Sequence, residues 1–224
     1  MKEQILFLVL FLILLVTLLA GCTSEPGVLK EEKSELVQEQ GQETRGEIMG
    51  RVLFVIAQTG YQDDELGKPK AILEDAGYEC DVASITRSVA RGALGGSVKP
   101  DLAVKEVSVD DYDLVVVVGG PGSPELASHE EVMSLLRAAK EKNKVIGAIC
   151  LGPMILAKAG VLEGRKATVF KTSESLSALE SGGAVLVDQS VVVDGRVVTA
   201  NGPGAAEGFG NELVKLLRGL KGAS

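Results

Sequence analysis

The chemistry this chain can perform centres on one sulfur. Val145-Ile146-Gly147-Ala148-Ile149 reads as a buried strand running into Cys150, with Leu151, Gly152 and Pro153 and then a helical pattern behind it. Ala148, two residues before the cysteine, and Gly152, two after it, are the small residues that a nucleophile elbow demands. In such a strand–turn–helix bend larger flanking side chains collide, and the central side chain is pushed out at the top of a sheet. The following helix aims N–H groups at the sulfur, so a lowered thiol pKa and an accessible thiolate are expected. The same residues also fit a buried, inert thiol in an apolar strand, because free Cys is among the most buried residue types.

The elements that would position this sulfur alternate along the chain. Residues 52–57 are a continuous apolar run, as in a central parallel strand. A helix pattern follows over 64–76, closed by Gly77, then a strand over 80–83. An irregular arm with Gly92, Gly95 and Gly96 covers 86–110, and a second buried run over 114–118 ends in Gly119-Gly120-Pro121-Gly122. Ser128-His129-Glu130-Glu131 reads as a capping box opening a helix to about residue 142. Beyond the elbow come a short strand over 167–170, a helix over 173–179, and two strands, 190–193 and 196–200, joined by Asp194-Gly195 as a β-hairpin. An amphipathic helix over 205–217 closes the chain. This order predicts an α/β fold with a doubly wound, largely parallel sheet flanked by helices, plus a small hairpin. Ligand sites in such sheets lie at the carboxyl ends of the strands, where Gly119-Gly120 and Cys150 both fall.

Composition narrows the partners. With 31 acidic against 23 basic residues, a net charge of -8 and no Trp, the 224-residue chain suits neither nucleic acid nor base stacking. Its single His and its cysteine spacings form no metal-ligand pattern, and nothing calls for a cofactor. Residues 5–19 are almost wholly apolar and lead into Leu19-Ala20-Gly21-Cys22, which resembles a prokaryotic lipoprotein signal. The expected layout is a signal peptide over 1–21, lipid on Cys22, a polar tether over 22–49, and one domain over 50–221, held on a membrane outside the cytoplasm. An uncleaved anchor is the other reading of the apolar run. Cys80 sits in an alternating strand pattern and is expected as a buried structural thiol rather than a disulfide partner of Cys150.

Ala148-Ile149-Cys150-Leu151-Gly152-Pro153, Gly119-Gly120, and Glu65 four residues before Pro69 together resemble the ThiJ/PfpI/DJ-one superfamily. The resemblance spans about residues 51–218 and extends to Ser97-Val98-Lys99, Ala159-Gly160-Val161-Leu162, Gly164-Arg165-Lys166, Val192-Val193-Asp194-Gly195 and Asn201-Gly202-Pro203-Gly204. It implies a flavodoxin-like sandwich, a homodimer or higher homo-oligomer, and a reactive cysteine paired with a glutamate. From its neighbours alone Glu65 is a solvated first-turn residue beside Asp63 and Asp64. The resemblance implies instead a carboxyl buried beside Cys150, kept protonated by desolvation and donating to the sulfur.

Two departures bear on mechanism. Leu151 stands where PfpI-type peptidases carry His, and Phe170 is the match to the His of the DJ-one branch. His129, at the start of a helix, reads as solvated, and Glu125, which resembles an acid completing the peptidase triad across a subunit contact, is left with nothing to orient. Loss of the general base removes roughly 100- to 10,000-fold from amide hydrolysis, so a peptidase ranks last. The resemblance implies a cofactor-free reaction on small reactive carbonyls: Cys150 adds to the carbonyl, Glu65 moves the proton, and the N–H groups of Gly120 and Leu151 hold the oxyanion. The alternative is a redox or stress protein whose Cys150 is oxidised to a sulfinate.

Overall fold

A computed structural model describes residues 48–222. The expected signal segment, Cys22 and the tether as far as residue 47 lie outside the described residues. The chain runs β1 (Gly50–Val55), β2 (Thr59–Tyr61), α1 (Asp63–Asp75), β3 (Tyr78–Ser84), β4 (Ala90–Gly92), β5 (Ser97–Val98) and β6 (Leu102–Ala103). It continues through β7 (Leu114–Val117), α2 (Glu130–Glu141), β8 (Val145–Ile149), α3 (Gly152–Lys158), β9 (Lys166–Ala167) and α4 (Ser173–Ser181). β10 (Val185–Leu186), β11 (Val191–Asp194), β12 (Val197–Ala200) and α5 (Ala206–Lys221) complete it.

Seven strands form one sheet in the order β11-β12-β8-β7-β1-β3-β6. All neighbours pair parallel except β11 with β12, so the doubly wound α/β class and the hairpin expected from the sequence are both present. The hairpin register pairs Asp194 with Val197, which moves its two-residue loop one step on, to Gly195-Arg196.

The central strands are apolar at every position because both faces are covered. In β1, β7 and β8, Leu53, Val55, Val115, Val117, Ile146 and Ala148 point into a core shared with Leu136, Leu156 and Leu179 of α2, α3 and α4. Val52, Phe54, Leu114, Val116, Val145 and Ile149 point into the other core, shared with Leu66 and Leu73 of α1 and Phe209 and Leu213 of α5. This is the period-2 alternation of strands with helices on both sides. The chain passes from β1 outward to β3 and returns to β7 on the opposite side of β1. The switch point therefore lies at the carboxyl ends of β1 and β7, one strand from the end of β8.

Three local expectations are corrected. Ser128 does not cap α2: its hydroxyl donates to the carbonyl of Glu125 at 2.7 Å, closing a 3₁₀ turn over Ser123–Ser128, and His129 becomes the N-cap. The arm over 86–110 is not wholly irregular, because β4 and β5 join β2 in a three-stranded sheet. The Asp63 carboxylate fixes this arm to the start of α1, accepting the N–H groups of Leu94 and Gly96, both at 2.8 Å. The strand expected over 167–170 stops at Ala167. Thr168 N–H donates to the Thr199 hydroxyl at 3.0 Å and Phe170 N–H to the Cys150 carbonyl at 2.8 Å, which draws this stretch onto the end of the main sheet.

Candidate active site

β8 ends at Ile149, and the next residue makes the turn. Cys150 has φ +62°, one of two positive-φ residues other than glycine among the described residues, the other being Asn143. A left-handed backbone at a side-chain-bearing residue costs on the order of 1–3 kcal/mol and persists only where the surroundings impose it. Here they do: Cys150 N–H donates to the Ala200 carbonyl at 2.9 Å, its own carbonyl accepts Phe170 N–H, and Leu151 caps α3. A β-carbon on Gly152 would lie 2.6 Å from the Val117 carbonyl oxygen, so the bend needs the glycine that the sequence supplies.

The sulfur is less open than the elbow pattern predicts. Cys150 is 7% exposed and packs with Ile149, Ala200 and Ala205 in the core beneath α1 and α5. Its thiol is not poised as a thiolate: burial and the Glu65 charge push its pKa up to about 12, while the N–H groups of Gly120 and Leu151 pull it down by less. The expected depression fails because the sulfur is desolvated and faces an acid rather than a cation.

Glu65 lies beside it. Its position on α1 follows from the helical face, since the buried residues of α1 are Glu65, Leu66, Pro69 and Leu73. Asp63 points to the arm and Asp64 pairs with Lys68 at 3.2 Å, so the three consecutive acids diverge. Gln62 caps the helix by accepting Glu65 N–H at 2.9 Å. Glu65 is fully buried, and neither carboxyl oxygen has a partner at conventional hydrogen-bond geometry. Desolvation pushes its pKa up to about 7; the Cys150 thiol and the Gly119 N–H lie near enough to favour its anion but do not offset burial. The resting pair above neutral pH is thus a carboxylate facing a thiol, the reverse of the proton placement expected from the resemblance.

Gly119, expected at the site with Gly120, and two residues that the sequence pattern did not single out, Gln62 and Ser123, complete the arrangement. Gly119 lies between the pair: a β-carbon there would come within 2.5 Å of both Cys150 Cβ and Glu65 Oε2. Gln62 N–H donates to the Gly119 carbonyl at 3.0 Å, and the Ser123 hydroxyl donates to the Gly120 carbonyl at 2.8 Å. Together they fix the loop that presents the Gly120 N–H. The glycine pair after an apolar strand was the signal for this loop.

No imidazole joins the pair. Leu151 is half-buried against both cores, and Phe170 is 47% exposed. His129, beside Glu131 at 3.7 Å, lines a cavity of about 110 Å³ with Gln58, Thr86 and Glu125, whose lining does not include Cys150. Cys80 and Cys150 are both free thiols, and Cys80 is half-buried rather than fully buried. Among the described residues no cluster of His, Cys, Asp or Glu could hold a metal ion.

The chain that builds this site is similar to known proteins. An uncharacterised protein of Methanocaldococcus jannaschii is 42% identical over 168 residues, 75% of this chain and 82% of that one. A Pyrococcus furiosus protein named Deglycase PfpI is 35% identical over 168 residues, covering 75% of this chain and 99% of the relative. The crystal structure of a ThiJ/PfpI domain protein from Brachyspira murdochii superposes with a TM-score of 0.73 at 34% identity, over 78% of this chain and 99% of that one. Residues 50–216 match the DJ-1/PfpI family as a whole, and the chain belongs to that family.

Proposed function

We propose that this protein converts small 2-oxoaldehydes, R–CO–CHO, to 2-hydroxy acids without a cofactor, using Cys150 as nucleophile and Glu65 as proton carrier. The observation that carries the reading is the fully buried Glu65, its oxygens otherwise unpartnered, set against Cys150 across Gly119. A buried carboxylate with pKa near 7 suits a general base at neutral pH. Glu65 takes the thiol proton as sulfur bonds to the aldehyde carbon, and the N–H groups of Gly120 and Leu151 stabilise the alkoxide. Glu65 returns that proton to the alkoxide, which leaves a hemithioacetal and regenerates the carboxylate. Glu65 next moves the C1 proton to C2 through an enediol, so C1 is oxidised, C2 is reduced, and a thioester of the 2-hydroxy acid remains. Water cleaves the thioester and returns the thiol. The relative named as a deglycase supports a reactive carbonyl as substrate class. Leu151 in the position next to the nucleophile leaves no imidazole there to protonate the leaving amine of a peptide, and a protonated sulfur that is 7% exposed disfavours rapid oxidation to a sulfinate.

Turnover of methylglyoxal by the purified full chain, followed as lactate formed, is expected to vanish in Cys150→Ala and to fall about 100- to 10,000-fold in Glu65→Gln. Lactate formation that survives Cys150→Ala at the wild-type rate rules out this chemistry. Leu19-Ala20-Gly21-Cys22 further supports export and lipid attachment at Cys22, which would hold the domain on a membrane outside the cytoplasm. Cys22→Ala is then expected to abolish incorporation of radiolabelled palmitate; undiminished labelling counts against lipid attachment at that residue.

A further inference from the structure

Seven large apolar residues are exposed among the described residues, and Phe170 is the one aromatic among them. It is also the residue stitched to the nucleophile, through its N–H to the Cys150 carbonyl at 2.8 Å. On its other side the Phe170 carbonyl accepts the Ser175 hydroxyl at 2.6 Å, and Ser175 is itself locked in the capping box of α4. Its backbone is therefore held on both sides while the ring stays 47% open. The ring lies over Gly202, where a β-carbon would sit 3.4 Å from Phe170 Cδ2; two residues earlier Ala200 accepts the Cys150 N–H. The neighbouring Lys171 is tied to Asp188 at 2.7 Å. Leu151 supplies a second apolar side chain directly after the cysteine.

We propose that Phe170 and Leu151 form an apolar rim beside Cys150 that selects 2-oxoaldehydes with an aromatic or branched substituent over glyoxal and methylglyoxal. The inference rests on the carbonyl reaction proposed above. Glu65 and Gly119 occupy one flank of the sulfur, and the N–H groups of Gly120 and Leu151 take the oxygen. The exposed ring of Phe170, held at the Cys150 backbone, is the apolar surface assigned to the substituent R. A phenyl group laid on an open aromatic ring removes apolar surface of both from water and gains the geometric preference of an aromatic pair. A methyl group covers little of either. Discrimination of about tenfold or more is the scale that such apolar contacts supply.

Two measurements on the full chain test this. In steady state, the ratio of kcat/KM for phenylglyoxal to that for methylglyoxal is expected to fall about tenfold in Phe170→Ser. The loss should appear chiefly in KM for phenylglyoxal, and Phe170→Leu should recover part of it. Independently of turnover, phenacyl bromide and bromoacetone both alkylate a thiol, and their rates at Cys150 are read by mass spectrometry. Their ratio is expected to fall about tenfold in Phe170→Ser as well. An alkylation ratio unchanged in Phe170→Ser overturns the rim, including the case where the substitution alters only the oligomeric state in sedimentation. Loss of the alkylation preference in a protein that turns over neither aldehyde would keep the rim and overturn the proposed reaction.

Discussion

Glu65→Gln is expected to resist urea better than the wild type at pH 8 and no better near pH 4. Burial raises the folded-state pKa of Glu65 from 4.5 to about 7. A group whose pKa is higher folded than unfolded contributes its full stability below the unfolded value and loses it as pH rises through the folded value. Between about pH 4.5 and pH 7 the wild type therefore loses on the order of 3 kcal/mol by this route. Glutamine has the same shape and never ionises, so it escapes that loss. In a domain of this size the difference amounts to about 6–12 °C in Tm at pH 8. Glu106, held below its ordinary range by the Ala103 N–H and Arg87, and Asp110, held down by Lys142, act in the opposite sense but equally in both proteins, so they cancel. The Cys150 thiol stays protonated over the same interval, which assigns the pH dependence to Glu65. A stability difference that stays flat from pH 4 to pH 8 would show that the carboxyl is not desolvated. The same substitution removes the proton carrier, so the variant that gains stability loses turnover.

The central sheet was legible in the sequence because strands covered on both faces must be apolar throughout, and residues 52–57, 114–118 and 145–149 have no other use for that pattern. The bend at Cys150 was legible from its small neighbours. The depth of the sulfur was not, since it comes from packing with residues distant in sequence, among them Ala200 and Ala205, and from the Glu65 carboxyl facing it. Glu65 was hidden by its company: among three consecutive acids the local pattern gives no choice. Its spacing of four residues to Pro69 and eight to Leu73, both buried on the same helical face, was the available signal. The arm over 86–110 had no periodicity to read. Its strands are two or three residues long, and the turn that joins two of them is held by a side chain, Asp63, from 31 and 33 positions away.

Gly119→Ala is expected to cost about 2–3 kcal/mol of stability and to lower turnover about 100-fold or more. The added methyl would meet Cys150 Cβ at 2.5 Å, Glu65 Oε2 at 2.5 Å and the Ile149 carbonyl oxygen at 2.7 Å. Two of these atoms have little room to yield. Ile149 belongs to a strand hydrogen-bonded to β7 and β12, and Cys150 is fixed in its turn by Ala200 and Phe170. The Glu65 carboxyl must therefore move, and with no exposure it has no path to water. Either β8 shifts away from β7, which opens the core, or the carboxyl leaves the sulfur, which ends proton transfer. Gly67→Ala on the same helix as Glu65 is the matched control. No atom lies within 4 Å of its added methyl, and replacing a helix-interior glycine should raise stability by about 0.5–1 kcal/mol. Urea midpoints and the rate of Cys150 alkylation by iodoacetamide, measured on both variants, separate the two effects. A Gly119→Ala protein with wild-type midpoint and turnover would mean that Glu65 and Cys150 do not meet across this glycine.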